Sequence, residues 1–104
     1  MSSKQRHTLT AIIRDRKGVV LSVGQNSYTK THPLMADLAK KANMPDRIYL
    51  HAEVHAIVRC QDISKAHSIE IFRFNKEGKP VNAAPCKICQ SAIQATPIKR
   101  VRHT

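Results

Sequence analysis

Aromatic residues are scarce in this sequence: tryptophan is absent, Tyr and Phe occur twice each, and together they make up 4% of 104 residues. The core must therefore rest on Ile, Val, Leu and Ala. No run of about 18 apolar residues occurs, which excludes a helix spanning a membrane and leaves no membrane partner to expect. Met1 to His7 carries no apolar stretch, so it does not read as a secretory signal, and a cytoplasmic location is the default expectation. Cysteine is also sparse. Its three copies, Cys60, Cys86 and Cys89, form an odd set that argues against a disulfide framework.

Acidic residues are the other shortage. Seven Asp and Glu stand against 18 Lys and Arg, a formal net charge of +11. Charge of that size says little about fold but much about partners, because it attracts polyanions and speeds encounter with them. The basic residues run from Lys4, Arg6, Arg14, Arg16 and Lys17 through Lys40, Lys41 and Arg47 to Lys99, Arg100 and Arg102. Such a spread fits either a nucleic-acid-binding face or a generally basic, solvated surface. Lys99, Arg100 and Arg102 can bind phosphates or keep an edge strand from pairing with another chain.

Length and a hydrophobic content of 41% suit one domain over residues 1–104, with residues 1–7 expected to be flexible. Thr8 to Arg14 and Val19 to Val23 read as two strands around the turn Asp15-Arg16-Lys17-Gly18, and Gly24 reads as the end of that hairpin. Pro33 opens a short helix in which Leu34, Met35, Leu38, Ala39 and Ala42 recur at helical spacing. A second helix is predicted from about His51 to Gln61, with Val54, Ile57, Val58 and Cys60 toward its buried side. Ser68 to Phe74 alternates as a strand, and Asn75 to Lys79 is a turn or loop. Pro85 to Ala95 reads as a third helix and Ile98 to Arg102 as a last strand. The order β-β-α-α-β-α-β predicts an α/β fold with a mixed, partly parallel sheet of four strands.

The chemistry lies at two helix starts. His51-Ala52-Glu53 opens one helix and Pro85-Cys86-Lys87-Ile88-Cys89 the next. Zinc favours an imidazole nitrogen and thiolates in a tetrahedral set, and three protein ligands leave one position for water. Cys86 and Cys89 share a helix face, and helix N-termini favour the negative charge of thiolates and hydroxide. A carboxylate beside such a water can move its proton. The same residues could also form a closed structural zinc site, with Cys60 or His55 as fourth ligand, or a redox dithiol. Cys60 reads as a small buried hydrophobe and His55 as a packing or pocket residue.

These two boxes, His51-Ala52-Glu53 and Pro85-Cys86-Lys87-Ile88-Cys89, resemble the cytidine deaminase superfamily, whose signature is His-x-Glu followed by Pro-Cys-x-x-Cys. The resemblance extends from Thr8 over most of the chain and is similar to compact, phage-encoded members. It implies Zn2+ held by His51, Cys86 and Cys89, with Glu53 as the proton shuttle in hydrolytic conversion of cytosine to uracil. It also implies a base contact from the Ala52 backbone and a sugar or base contact from Asn26, which follows the second strand, with Tyr28 stacking. Asn26 alternatively reads as an ordinary turn residue, and Tyr28 as a packed aromatic.

Two departures stand out. The usual helix before the first strand and the extension after the fourth are lacking, so a sheet face is left bare. The helix around Leu34 to Ala42 is then expected to cover that face or wall the substrate site, or else the chain self-associates as a homo-oligomer. The approach from Asn75 to Ala84 is also longer than the family's usual one. Charge favours single-stranded DNA or RNA as the cytosine-bearing partner, whereas few aromatics favour a free nucleotide or nucleoside. A different class is a non-catalytic zinc module that binds nucleic acid.

Overall fold

A computed structural model of the chain describes residues 9–27, 31–43 and 51–104. The first hairpin follows from its turn chemistry. Asp15 Oδ1 accepts the amides of Lys17 and Val19, both at 2.9 Å, and Gly18 takes φ +88, a conformation open to glycine without a Cβ penalty. The turn joins β1 (Leu9–Arg14) to an antiparallel β2 (Val20–Gln25).

Alternation places Ala11 and Ile13 of β1, and Ile69 and Ile71 of β3 (Ser68–Arg73), on one fully buried sheet face. β3 pairs antiparallel with β1, and β4 (Arg100–His103) pairs parallel with β3, giving the order β2-β1-β3-β4. A parallel pair needs a crossover, supplied here by α3 (Lys87–Gln94). The expected element order is therefore present, with one added 3-10 turn at Ile63–Lys65. Among the described residues no helix is long and apolar enough to cross a membrane.

α2 (Ala52–Arg59) lies over β1 and β2, and it ends at Cys60, slightly earlier than its sequence suggests. Its sheet-facing residues are the small Ala52 and Ala56, fully buried in one cluster with Ala11, Ile13, Ile69, Ile71 and Ile93. Cys60 joins that cluster as the small hydrophobe expected. Gly24 does not end the hairpin. It sits inside β2, where a Cβ would meet the backbone of α2: 2.5 Å from the Ala52 oxygen, 2.8 Å from Ala56 Cα, and against Ala56 N. Ser22, two residues earlier on the same face, donates its hydroxyl to the Ala56 carbonyl at 2.8 Å. Strand and helix thus meet backbone to backbone.

α1 (Pro33–Lys41) starts at His32, whose Nδ1 accepts the Leu34 amide at 3.0 Å, and carries Lys40 and Lys41 in its last turn, where cations suit the helix dipole. Its buried Met35 and Ala39 pack with Val54 of α2 and with Ile88, Cys89 and Ala92 of α3. The expectation that this helix covers the bare sheet face is therefore corrected. Its apolar stripe was a correct sign of burial, but α2 and α3 offer the matching surface, and α1 becomes an outer layer beside Cys89.

The segment before α3 is pinned despite its length. Asn75 Oδ1 accepts the amides of Glu77 and Lys79, and Gly78 takes φ +79. Val81 then donates its amide to the Arg73 carbonyl, and Ala83 donates to the Thr104 carbonyl. These bonds deliver the chain to Cys86 at the end of the sheet.

Candidate active site

His51 and Cys86 are the N-caps of α2 and α3, both with extended backbone, and Cys89 lies in the first turn of α3. Helical bonding starts with the His55 amide on the His51 carbonyl at 2.9 Å and the Gln90 amide on the Cys86 carbonyl at 2.8 Å. The His51 side chain makes no cap bond to its own helix and instead faces the two cysteines. Both helix N-termini therefore turn their positive ends and first-turn amides toward one place.

The donor atoms of His51, Cys86 and Cys89 all lie within 4.8 Å of one another. His51 Nδ1 is 3.2 Å from Cys89 Sγ and 3.5 Å from Cys86 Sγ. Tetrahedral zinc, with Zn–N of about 2.1 Å and Zn–S of about 2.3 Å, sets nitrogen and sulfur about 3.6 Å apart. One nitrogen and two sulfurs at these separations fit zinc in chemistry and in size. Among the described residues no fourth His, Cys, Asp or Glu joins the group. Cys60 caps the far end of α2, and His55 Nδ1 accepts the Gln25 amide at 3.0 Å. Three protein ligands with water in the fourth position is the arrangement of catalytic zinc sites.

Glu53 projects from the first turn of α2 and is 3% exposed. Burial raises its pKa above the usual carboxylate value, opposed by its own backbone amide and by His51. The two thiols act as a pair. The Cys89 thiol, more than His51, holds Cys86 down at about 3 against the effect of burial. Cys86, burial and Glu53 push Cys89 up. At neutral pH the metal-free pair therefore keeps one proton between its two sulfurs. Zinc must expel it, because only a thiolate ligates. Zinc titration calorimetry in buffers of different ionisation enthalpy should report about one proton released from this pair, and affinity should fall about tenfold per unit as pH drops. Affinity independent of pH would contradict this pairing.

Ala52 is fully buried and opens α2, so its amide belongs to the first-turn set that the helix does not use. Asn26 follows β2 directly. Its Oδ1 accepts the Leu9 amide at 2.9 Å, and its own amide donates to the Leu9 carbonyl at 3.2 Å, so its side-chain oxygen helps close the open end of the hairpin. Tyr28 lies outside the described residues. Lys99, Arg100 and Arg102 do not line the His51 group. Arg100 and Arg102 border a depression with Arg14 and Arg16, and Lys99 borders an adjoining one with Lys17 and Lys65. The residues missed in the sequence are Gly24 and Ser22, which seat α2 and thereby His51 and Glu53. The available signal was a glycine inside a strand pattern, which often marks close backbone approach.

No curated protein matches the chain. The family model described as the cytidine and deoxycytidylate deaminase zinc-binding region matches residues 1–103. With an imidazole and two thiols grouped at zinc spacing beside a buried glutamate, the chain belongs to the zinc-binding cytidine and deoxycytidylate deaminase family.

Proposed function

We propose that this deaminase converts cytosine to uracil in single-stranded nucleic acid. His51, Cys86 and Cys89 would hold the zinc, which when bound would supply Lewis-acid activation of the attacking water. Glu53 accepts a proton from the attacking water and passes it to N3 of cytosine, then serves the departing amine, so that water and cytosine give uracil and ammonia. Burial favours the protonated form of Glu53, which suits a carboxyl that must give its proton back within each turnover. The Ala52 amide, at the start of α2 where the helix leaves its first amides unused, would donate to the base.

One observation carries the choice of a polymer. Seven cations line two adjoining depressions, Arg14, Arg16, Arg100 and Arg102 in one and Arg16, Lys17, Lys65 and Lys99 in the other. The acids beside them are engaged: Asp15 binds turn amides, and Glu70 pairs with Arg14 at 2.6 Å. A mononucleotide needs few such contacts, whereas a strand presents many phosphates.

The test is incubation of the zinc-loaded protein with dCMP, CMP, and DNA or RNA single strands carrying one cytosine. C-to-U conversion in a strand should exceed dCMP turnover by at least about tenfold in kcat/KM, the factor that one extra charged contact typically supplies. A preference for dCMP overturns the polymer substrate. No product from any of them, with tight salt-sensitive binding, supports a binding module instead.

A further inference from the structure

The helices occupy one face of the sheet, and among the described residues none packs on the other. Because Ala11, Ile13, Ile69 and Ile71 are buried against the helices, alternation puts Thr10, Ile12 and Arg14 of β1 and Ser68, Glu70 and Phe72 of β3 on this second face. Register adds Arg100 beside Ser68 and Arg102 beside Glu70. The face has two unlike ends. At the end where the Asp15–Gly18 turn lies, Arg14 pairs with Glu70 at 2.6 Å, and Arg100 and Arg102 stand on the neighbouring strand. At the other end Phe72 and Phe74 stack, with centroids 6.4 Å apart and planes 4° from parallel, and Phe74 is exposed. Ser68 to Phe74 spans about 20 Å at the usual strand rise.

The aromatic end lies at the same end of the sheet as the start of α2. Phe72 pairs with Thr10, which pairs with Gln25, and the Gln25 amide binds His55 in α2, one turn beyond His51.

We propose that this open face is a platform for single-stranded nucleic acid, with phosphates on the arginine end and unpaired bases stacked on Phe72 and Phe74. A second copy of the chain is the poorer occupant, since two chains each of formal charge +11 repel. A polyanion with planar bases satisfies both ends at once, and sheet-borne aromatics that stack two or three bases are a known mode of single-strand recognition. The platform rests on the reading that the chain handles single strands. It goes further by placing their path on the face behind the catalytic one, leading toward the sheet end that carries the metal ligands.

The zinc-loaded full chain is titrated into labelled oligo(dT), which contains no cytosine, with fluorescence anisotropy as the readout. Single strands should bind at least about tenfold more tightly than a duplex of equal length. Phe74→Ala should weaken binding about fivefold or more, the loss of one stacked base. Arg100→Gln combined with Arg102→Gln should flatten the log–log salt slope by about 1.4, two phosphate contacts on a single strand. Thermal melts confirm that each variant is folded. Binding equal for duplex and single strand, or unaltered in both variants, overturns the platform, as does a dimer in sedimentation that Phe74→Ala dissolves. The separate cytosine assay reads the substrate: single-strand deamination with unaltered oligo(dT) binding in the variants refutes the platform alone. Oligo(dT) binding that obeys all three expectations, with turnover of dCMP only, refutes the polymer substrate alone.

Discussion

Glu53→Gln should reduce deamination by about a thousandfold or more in kcat while one zinc remains bound per chain. The magnitude is that of removing a positioned general acid and base, about 10²–10⁴, and the same carboxyl is asked to move more than one proton per turnover. Glutamine keeps the shape of the side chain and its contact with the first turn of α2. The substitution also removes a carboxyl whose ionised form is penalised by burial, so stability should be unchanged or higher. Zinc should be retained because the ligands are His51, Cys86 and Cys89 and the carboxylate is outside their group. Loss of turnover without loss of metal separates Glu53 from the ligands, since Cys89→Ser should lose both. Wild-type turnover in Glu53→Gln would falsify the proton-shuttle role.

The His51, Cys86 and Cys89 group and the neighbouring Glu53 were legible in the sequence because they are local. His51-Ala52-Glu53 and Cys86 to Cys89 each sit within one helical turn, and helix starts are readable from spacing and from Pro85. Element order was legible for a similar reason, since alternation in Leu9 to Arg14 and Ser68 to Arg73 and the stripe of Pro33 to Lys41 are local patterns. What could not be read is which surfaces meet. The stripe Leu34, Met35, Leu38 and Ala39 announces burial, yet only the assembled fold shows that α2 and α3 receive it. Arg100 and Arg102 show the same limit. Their charge was plain, but their place beside Ser68 and Glu70, on the face away from the zinc ligands, depends on parallel pairing across some thirty residues.

Gly24 is the sharpest case, and Gly24→Ala should cost about 3 kcal/mol or more. Overpacking a core usually costs about 1–3 kcal/mol because side chains can shift, but here the added carbon meets the main-chain atoms of Ala52 and Ala56. Relief requires α2 to lift from β2, which also breaks the Ser22 hydroxyl bond to Ala56. For a domain of this size that loss lowers Tm by at least about 12 °C. The displacement has a second consequence that simple destabilisation lacks. His51 and Glu53 ride on the start of α2 whereas Cys86 and Cys89 ride on α3, so lifting α2 pulls the nitrogen from the sulfurs and weakens zinc binding in protein that is still folded. Gly78→Ala is the control, since Gly78 has φ +79 with nothing near an added Cβ. It should cost only about 1–2 kcal/mol of backbone strain and leave zinc affinity unchanged. Equal melting temperatures and equal zinc affinity for the two variants would show that β2 does not seat the metal-bearing helix.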